Sequence, residues 1–396
     1  MNGKELVLSA LNGKGTEVLP FIPRLDIWYK ANKLNGTLPE RFRNASLRDI
    51  TDELGIGYHA VVPDFRDNLF EDDDIDIGLG IYRFRAIPYD VRLNNIKKTV
   101  DRDNGLTTVQ YSTPYGTITT KVLYDDTMKK SGATLAHVVE YALKGVDDFK
   151  ALAYIFENAE VLPKYNGLEE LKNYLGERGP IVAFNSLGAS PMHYIMKELI
   201  STETFFYESF DHPDELHELM ESISGYFYRM YDLVVKSPAD IILSGANYDS
   251  SITTPAFFSR YITPELKKQA IKAHTNGKYL LTHTDGENRG LLNTYLDAGF
   301  DIADSICPDP MTSLSLKEIK DKFGEKITIW GGIPSVSVLE NSMSEYQFEA
   351  LLNSTFESIG RGDHIIFSIA DTTPPDAKFE RILKIIKKTE EFGPVK

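Results

Sequence analysis

His283-Thr284-Asp285-Gly286 is the stretch of this chain best suited to chemistry. It follows the apolar run Tyr279-Leu280-Leu281 and precedes a helical pattern from Leu291 to Leu296. Side chains alternate along a strand, so a histidine and a carboxylate two residues apart are expected to point the same way. Such a pair can bind a metal, share a proton or hold a polar substrate, and strand ends are where α/β enzymes place their chemistry. Polar residues recur at the other strand ends: Arg24 and Asp26 with Trp28 nearby, Asp64, Asn185, Asn247, Tyr248 and Asp249, Glu287, Asp304 and Cys307, Gly331-Gly332, and Asp371. Structural duties compete with each of these. Arg24 and Asp26 can pair as ions, Asp249 can cap the loop before Pro255, and Asp371 can cap a last helix beginning near Pro374-Pro375. Cys307, without a matched base, is expected to be inert, and Gly331-Gly332 is too short for a phosphate loop.

Eight short apolar runs must position these residues: Phe21–Ile22, His59–Val62, Ile181–Phe184, Asp240–Leu243, Lys278–Thr282, Asp301–Asp304, Ile327–Trp330 and His364–Ile369. Helical periodicity follows most of them, as in Pro213–Val235, where Asp211 is expected as the cap and Pro213 in the first turn. A second helix runs from Pro255 to His274, with a break expected at Pro264 and a stop at Asn276-Gly277. Alternation of this kind predicts an α/β protein, a (β/α)8 TIM barrel, with every strand end on one rim. Residues 70–160 depart from the rhythm. Ile81–Ile87, Lys98–Asp101, Thr107–Ser112, Thr117–Tyr124 and Thr134–Ala142 read as an antiparallel β-meander inserted between strands two and three of a single 1–396 domain. Such an insertion is a lid, a partner platform or a structural side-sheet. The Glu71-Asp72-Asp73-Asp74 run reads as a solvated turn.

Composition narrows the function classes. The 396 residues are 42% hydrophobic and 26% charged, with a formal charge of −15, which disfavours nucleic acid and anionic membrane surfaces. One cysteine excludes an intramolecular disulfide and any multi-thiolate zinc site. Neither a signal-like segment nor an apolar run of about 18 residues is present, so a cytoplasmic protein without a membrane span is expected. The partners expected are a small-molecule substrate and a protein; a homodimer is left open.

The chain resembles the uroporphyrinogen decarboxylase superfamily, which includes corrinoid-protein methyltransferases. The anchors are KELVLSALNG (Lys4–Gly13), PAFFSRYITP (Pro255–Pro264), GKYLLTHTDG (Gly277–Gly286), IWGGIP (Ile329–Pro334) and the segment His364–Ile382. Thr113-Pro114-Tyr115-Gly116 looks more like the methyltransferase side. Zinc-dependent members of that side carry His-x-Cys-Gly here and a second cysteine after the last strand. This chain keeps His283, puts Asp285 in place of the first cysteine, and has Asp371 or Ala370 at the second. Demethylases of the group present two glutamates before the histidine, where Asn247 and Ile262 stand here. The resemblance therefore implies a tentative zinc set of His283, Asp285 and Asp371, or, without metal, an acid–base pair.

The porphyrinogen decarboxylases carry an arginine-rich early segment, whereas Phe21–Lys30 has only Arg24. The expected function is transfer of a methyl group from a methoxylated or otherwise methylated small molecule to a corrinoid supplied by a partner protein. His283, Asp285, Asp249, Asp371 and Asp26 are the catalytic candidates; Arg24, Trp28, Asn247, Tyr248 and Glu287 are expected to line the substrate. Two alternatives stand beside it. One is a carboxy-lyase in which Asp26 or Asp249 holds the substrate and His283 donates a proton. The other is a non-catalytic barrel that binds a ligand or a corrinoid partner.

Overall fold

A computed structural model describes residues 1–60 and 75–396 of the chain. Asp64, the end of the second predicted strand and the Glu71–Asp74 run lie outside the described residues. The described residues form twelve strands: β1 (Tyr89–Leu93), β2 (Lys97–Asp103), β3 (Leu106–Thr113), β4 (Gly116–Leu123), β5 (His137–Glu140), β6 (Ala159–Pro163), β7 (Val182–Ser186), β8 (Ile241–Ala246), β9 (Tyr279–His283), β10 (Ile302–Ile306), β11 (Thr328–Pro334) and β12 (Ile365–Ala370).

The last six form one parallel sheet in the order β12-β11-β10-β9-β8-β7. Nearly every residue in them is buried, as strands such as IIFSIA require when both faces are covered. The first predicted strand shrinks to a single parallel bridge, Phe21 to Phe367. Two backbone bonds hold it beside β12, from Ile22 N–H to the Phe367 carbonyl and from Phe367 N–H to the Pro20 carbonyl, each 2.8 Å. Trp330 Nε1 ties the same segment inward by donating to the Ile22 carbonyl at 3.1 Å. Residues 57–60 lie outside any strand; Tyr58 N–H donates to the Arg178 carbonyl at 2.9 Å.

The six strands before β7 pair only antiparallel. β2-β3-β4-β5 form a four-stranded meander, and β1 pairs with β6 as a separate ribbon. Burial alternates along β3 and β4, with Val109, Tyr111, Ile118 and Val122 inward, the pattern of a sheet with one covered face. Ile81–Ile87 is not a strand. Ile81, Tyr82, Phe84 and Ile87 are buried in an irregular segment, and pairing begins only at Tyr89, after Pro88. Apolar content marked burial there without the period that distinguishes a strand.

The helices that flank the sheet follow their local signals with two corrections. Helix Pro213–Val234 has Pro213 in its first turn, but His212 occupies the cap position and Asp211 ends the preceding helix. The break at Pro264 is a π-helical segment, Phe258–Ile262, before the helix Thr263–Thr275. A proline has no N–H for the ladder, and a wide turn relieves the mismatch. Asn276 then caps that helix and Gly277 follows at φ 68°.

Candidate active site

The parallel register of β9 and β10 sets His283 directly beside Asp304. The two side chains meet there, with His283 Nδ1 2.6 Å from Asp304 Oδ2. Thr284 secures the pairing from below: its N–H and its hydroxyl both donate to the Asp304 carbonyl, at 2.7 and 2.8 Å. On the other edge of the ring, Nε2 lies 3.1 Å from Oδ1 of Asp371, the residue that follows β12. That oxygen also accepts the Ser305 hydroxyl at 3.0 Å and has Arg24 Nη1 at 3.6 Å. Arg24 Nε in turn pairs with Asp26 Oδ1 at 3.1 Å. The second oxygen of Asp304 is 3.7 Å from His59 Nε2, and the His59 ring stands edge-on to Trp330. Strand ends far apart in sequence thus form one chain of contacts: His59, Asp304, His283, Asp371, Arg24 and Asp26.

This arrangement fixes the protonation of His283. Burial alone would favour the neutral ring, but Asp371 and then Asp304 outweigh it and push its pKa up to about 10. Both nitrogens face carboxylate acceptors, so both carry protons at neutral pH. Burial opposes ionisation of Asp371, yet His283 and Arg24 hold its carboxyl well below the usual range. Asp304 is lowered in the same way by His283 and His59 against its own burial. Arg24 is only 7% exposed and remains charged beside Asp26 and Asp371.

Asp285 does not orient the ring. Its carboxyl is raised by burial and by the nearby Asp371 charge, with His283 and Lys197 acting in the opposite direction. The chain leaves the strand at His283, so the period-two rule no longer governs where Asp285 points. Gly286 makes the turn possible. Its φ is 120°, and a Cβ there would sit 2.4 Å from the Tyr248 carbonyl oxygen.

The remaining expected site residues are dispersed. Asp249 is bound within its own loop, accepting from Ser251 N–H at 2.8 Å and from the Ser251 hydroxyl at 2.5 Å. Glu287 joins two loops, accepting from Arg289 N–H at 2.8 Å and Ser313 N–H at 2.7 Å. Asn247 is exposed at φ 55° and its N–H donates to the His283 carbonyl. Tyr248 is fully buried with its hydroxyl 2.6 Å from Thr282 Oγ1. Trp28, 2% exposed, stacks on Phe379 in the core. Asp371 does not cap the last helix, which begins at Phe379. Cys307 is buried, its thiol pushed up to about 12 by burial and then by Asp285 and Asp371, which makes it unreactive.

The expected zinc set of His283, Asp285 and Asp371 is not gathered as a ligand group in this arrangement. Among the described residues no group of three or more His, Cys, Asp or Glu side chains is placed to hold a metal ion. The residues that sequence reasoning passed over are His59, Ser305 and the role of Asp304. Asp304 was visible as a polar strand end, but its partner is chosen by strand register, which no local pattern records.

A cavity of about 480 Å³ borders this cluster, with Arg24, Asp26 and His59 in its wall. Two of its wall residues, Arg24 and His59, contact Asp371 and Asp304, the carboxylates that flank His283.

Among known proteins, a search of curated sequences returned no match. Of solved structures, a methyltransferase from Methanosarcina mazei superposes with a TM-score of 0.54 over 99% of both chains at 15% identity. Likeness at that identity concerns the fold. The sequence itself matches the model of the family uroporphyrinogen decarboxylase (URO-D) over residues 128–392, well over half its length. Membership of that family implies a TIM barrel, in agreement with six parallel strands and the Phe21 bridge at their edge. The chain belongs to the uroporphyrinogen decarboxylase family.

Proposed function

We propose that this chain is a methyltransferase that removes a methyl group from a small methylated molecule, with His283 as the proton source for the departing heteroatom. The observation that carries the reading is the doubly held imidazolium: Asp304 on Nδ1 and Asp371 on Nε2. Breaking a methyl–heteroatom bond leaves an electron pair on that heteroatom, and a proton must meet it. An acid of pKa about 10 matches a phenolate, whose conjugate acid lies near ~10, and is more than strong enough for an alkoxide. A reduced corrinoid on a separate protein would supply the nucleophile that accepts the methyl group. This chain's own residues then bind, orient and protonate. Asp304 fixes the ring, and the Nε2 proton is shared with Asp371, whose side chain is 34% exposed and gives that proton its route outward. Ser305 and Arg24 hold the Asp371 carboxylate while that proton moves.

The fold likeness to a methyltransferase supports the same reading. A carboxy-lyase acting on a porphyrinic acid has less support, because Arg24 is already neutralised by Asp26 and Asp371 and cannot also answer several substrate carboxylates. Incubation with a reduced corrinoid protein and a panel of methyl ethers and methylamines tests the proposal. The expected result is the methylated-corrinoid spectrum with at least one donor, lost in His283→Gln. No transfer from any donor, together with carbon dioxide release from an acid substrate, would contradict it.

A further inference from the structure

The cavity beside the cluster has a composition of its own. Its wall includes Tyr29, Leu47, Tyr58, Leu171 and Tyr174, so aromatic and aliphatic carbon dominates the surface a ligand would meet. Tyr58 and Tyr174 meet edge to face at 6.3 Å, and Arg48 lies over the Tyr174 ring at 4.7 Å. Four charged residues also line it, and they cancel in pairs. Arg24 pairs with Asp26 at 3.1 Å, and Arg85 pairs with Glu170. The walls are fixed by close backbone approach, since a Cβ on Gly167 would collide with the Arg85 carbonyl.

We propose that this cavity is a binding site for an uncharged aromatic molecule of one or two rings. Its volume of about 480 Å³ falls in the range of small-molecule sites, roughly 300–1,000 Å³. The four charged lining residues are already paired with one another and Arg48 is engaged on the Tyr174 ring and carbonyl, so a charged ligand would leave water for little compensation. A neutral ring loses little water and gains stacking and edge contacts with tyrosine faces. The back wall carries the functional consequence. His59 lies 3.7 Å from Asp304 and Arg24 lies 3.6 Å from Asp371, so both carboxylates that hold His283 are touched from the cavity side. The site thus stands next to the proton source without including it. Binding here does not depend on methyl transfer being the reaction.

Calorimetric titration of the full chain with phenol, benzoate and benzylammonium, which share a ring and differ in charge, tests the assignment. Phenol is expected to bind at least tenfold more tightly than either ion. Tyr174→Ala removes a partly exposed wall and is expected to weaken phenol at least tenfold. Leu171→Trp fills the space and should abolish binding, with thermal melts confirming that both variants fold. His283→Gln should retain phenol binding, which separates failure of this site from failure of the methyltransferase reading. Equal affinity for the three probes overturns the proposal. So does phenol binding that survives both cavity variants, or that disappears in His283→Gln.

Discussion

Asp304 and His283 are neighbours across two parallel strands, and their side chains close to 2.6 Å at the point where the strands end. A carboxylate so placed selects the ring's protonation state as well as its orientation, because an acceptor on Nδ1 leaves the proton question to whatever faces Nε2. Here that is a second carboxylate, Asp371, and the two together push the ring's pKa up to about 10 against the effect of burial.

Removing the ring should therefore do more than open a space. In His283→Gln the proton source is lost while Asp304 and Asp371 remain as close acidic neighbours. Activity is expected to fall by about 100-fold or more. Steady-state rates with any active methyl donor measure this; a loss of less than tenfold would remove His283 from the proton-transfer role.

Asp304→Asn keeps the shape of the contact but removes its charge. The His283 pKa should drop from its raised value, and the alkaline limb of the pH–rate profile should move to lower pH with it. Activity at neutral pH is expected to fall by about tenfold or more. A purely structural role for Asp304 would lower stability without moving the limb.

Stability should follow the same proton. The folded-state pKa of His283 is raised to about 10, above an unfolded value near ~6.5, so the folded chain binds a proton the unfolded chain has released between those values. The stabilisation is fully present below about pH 6.5 and is lost as pH rises through about 10. Thermal midpoints measured from pH 7 to 10.5 should decline more steeply in the wild type than in His283→Gln. Parallel curves would contradict this.

Gly286 offers a test of how the site is built. A side chain there meets the Tyr248 carbonyl at 2.4 Å and must adopt φ 120°. Gly286→Ala is expected to cost about 2 kcal/mol or more, read from denaturant unfolding. An unchanged midpoint would mean that the loop has freedom the geometry denies it.

What could be read from the chain before its structure divides along physical lines. Buried parallel strands announce themselves as continuous apolar runs, so β7 to β12 were legible, and so was the Pro264 irregularity, because a missing N–H acts locally. His283 and Asp371 were identifiable as polar residues where strands stop. The partner of His283 was not. A spacing of two within one strand suggested Asp285, whereas the contact is made by Asp304 through strand register, a property of two segments together. Trp28 misled in the opposite way: an aromatic near a predicted mouth packs instead on Phe379, a residue from the far end of the chain. The zinc expectation rested on residue types, and among the described residues no three such side chains are gathered to hold an ion.

The central claim is that His283 is an imidazolium at working pH, and selective ¹⁵N-histidine labelling with NMR titration addresses it most directly. Both ring nitrogens of His283 should show protonated shifts at pH 8 and titrate near 10. A neutral ring at pH 8, or a nitrogen shift characteristic of metal coordination, would contradict the account.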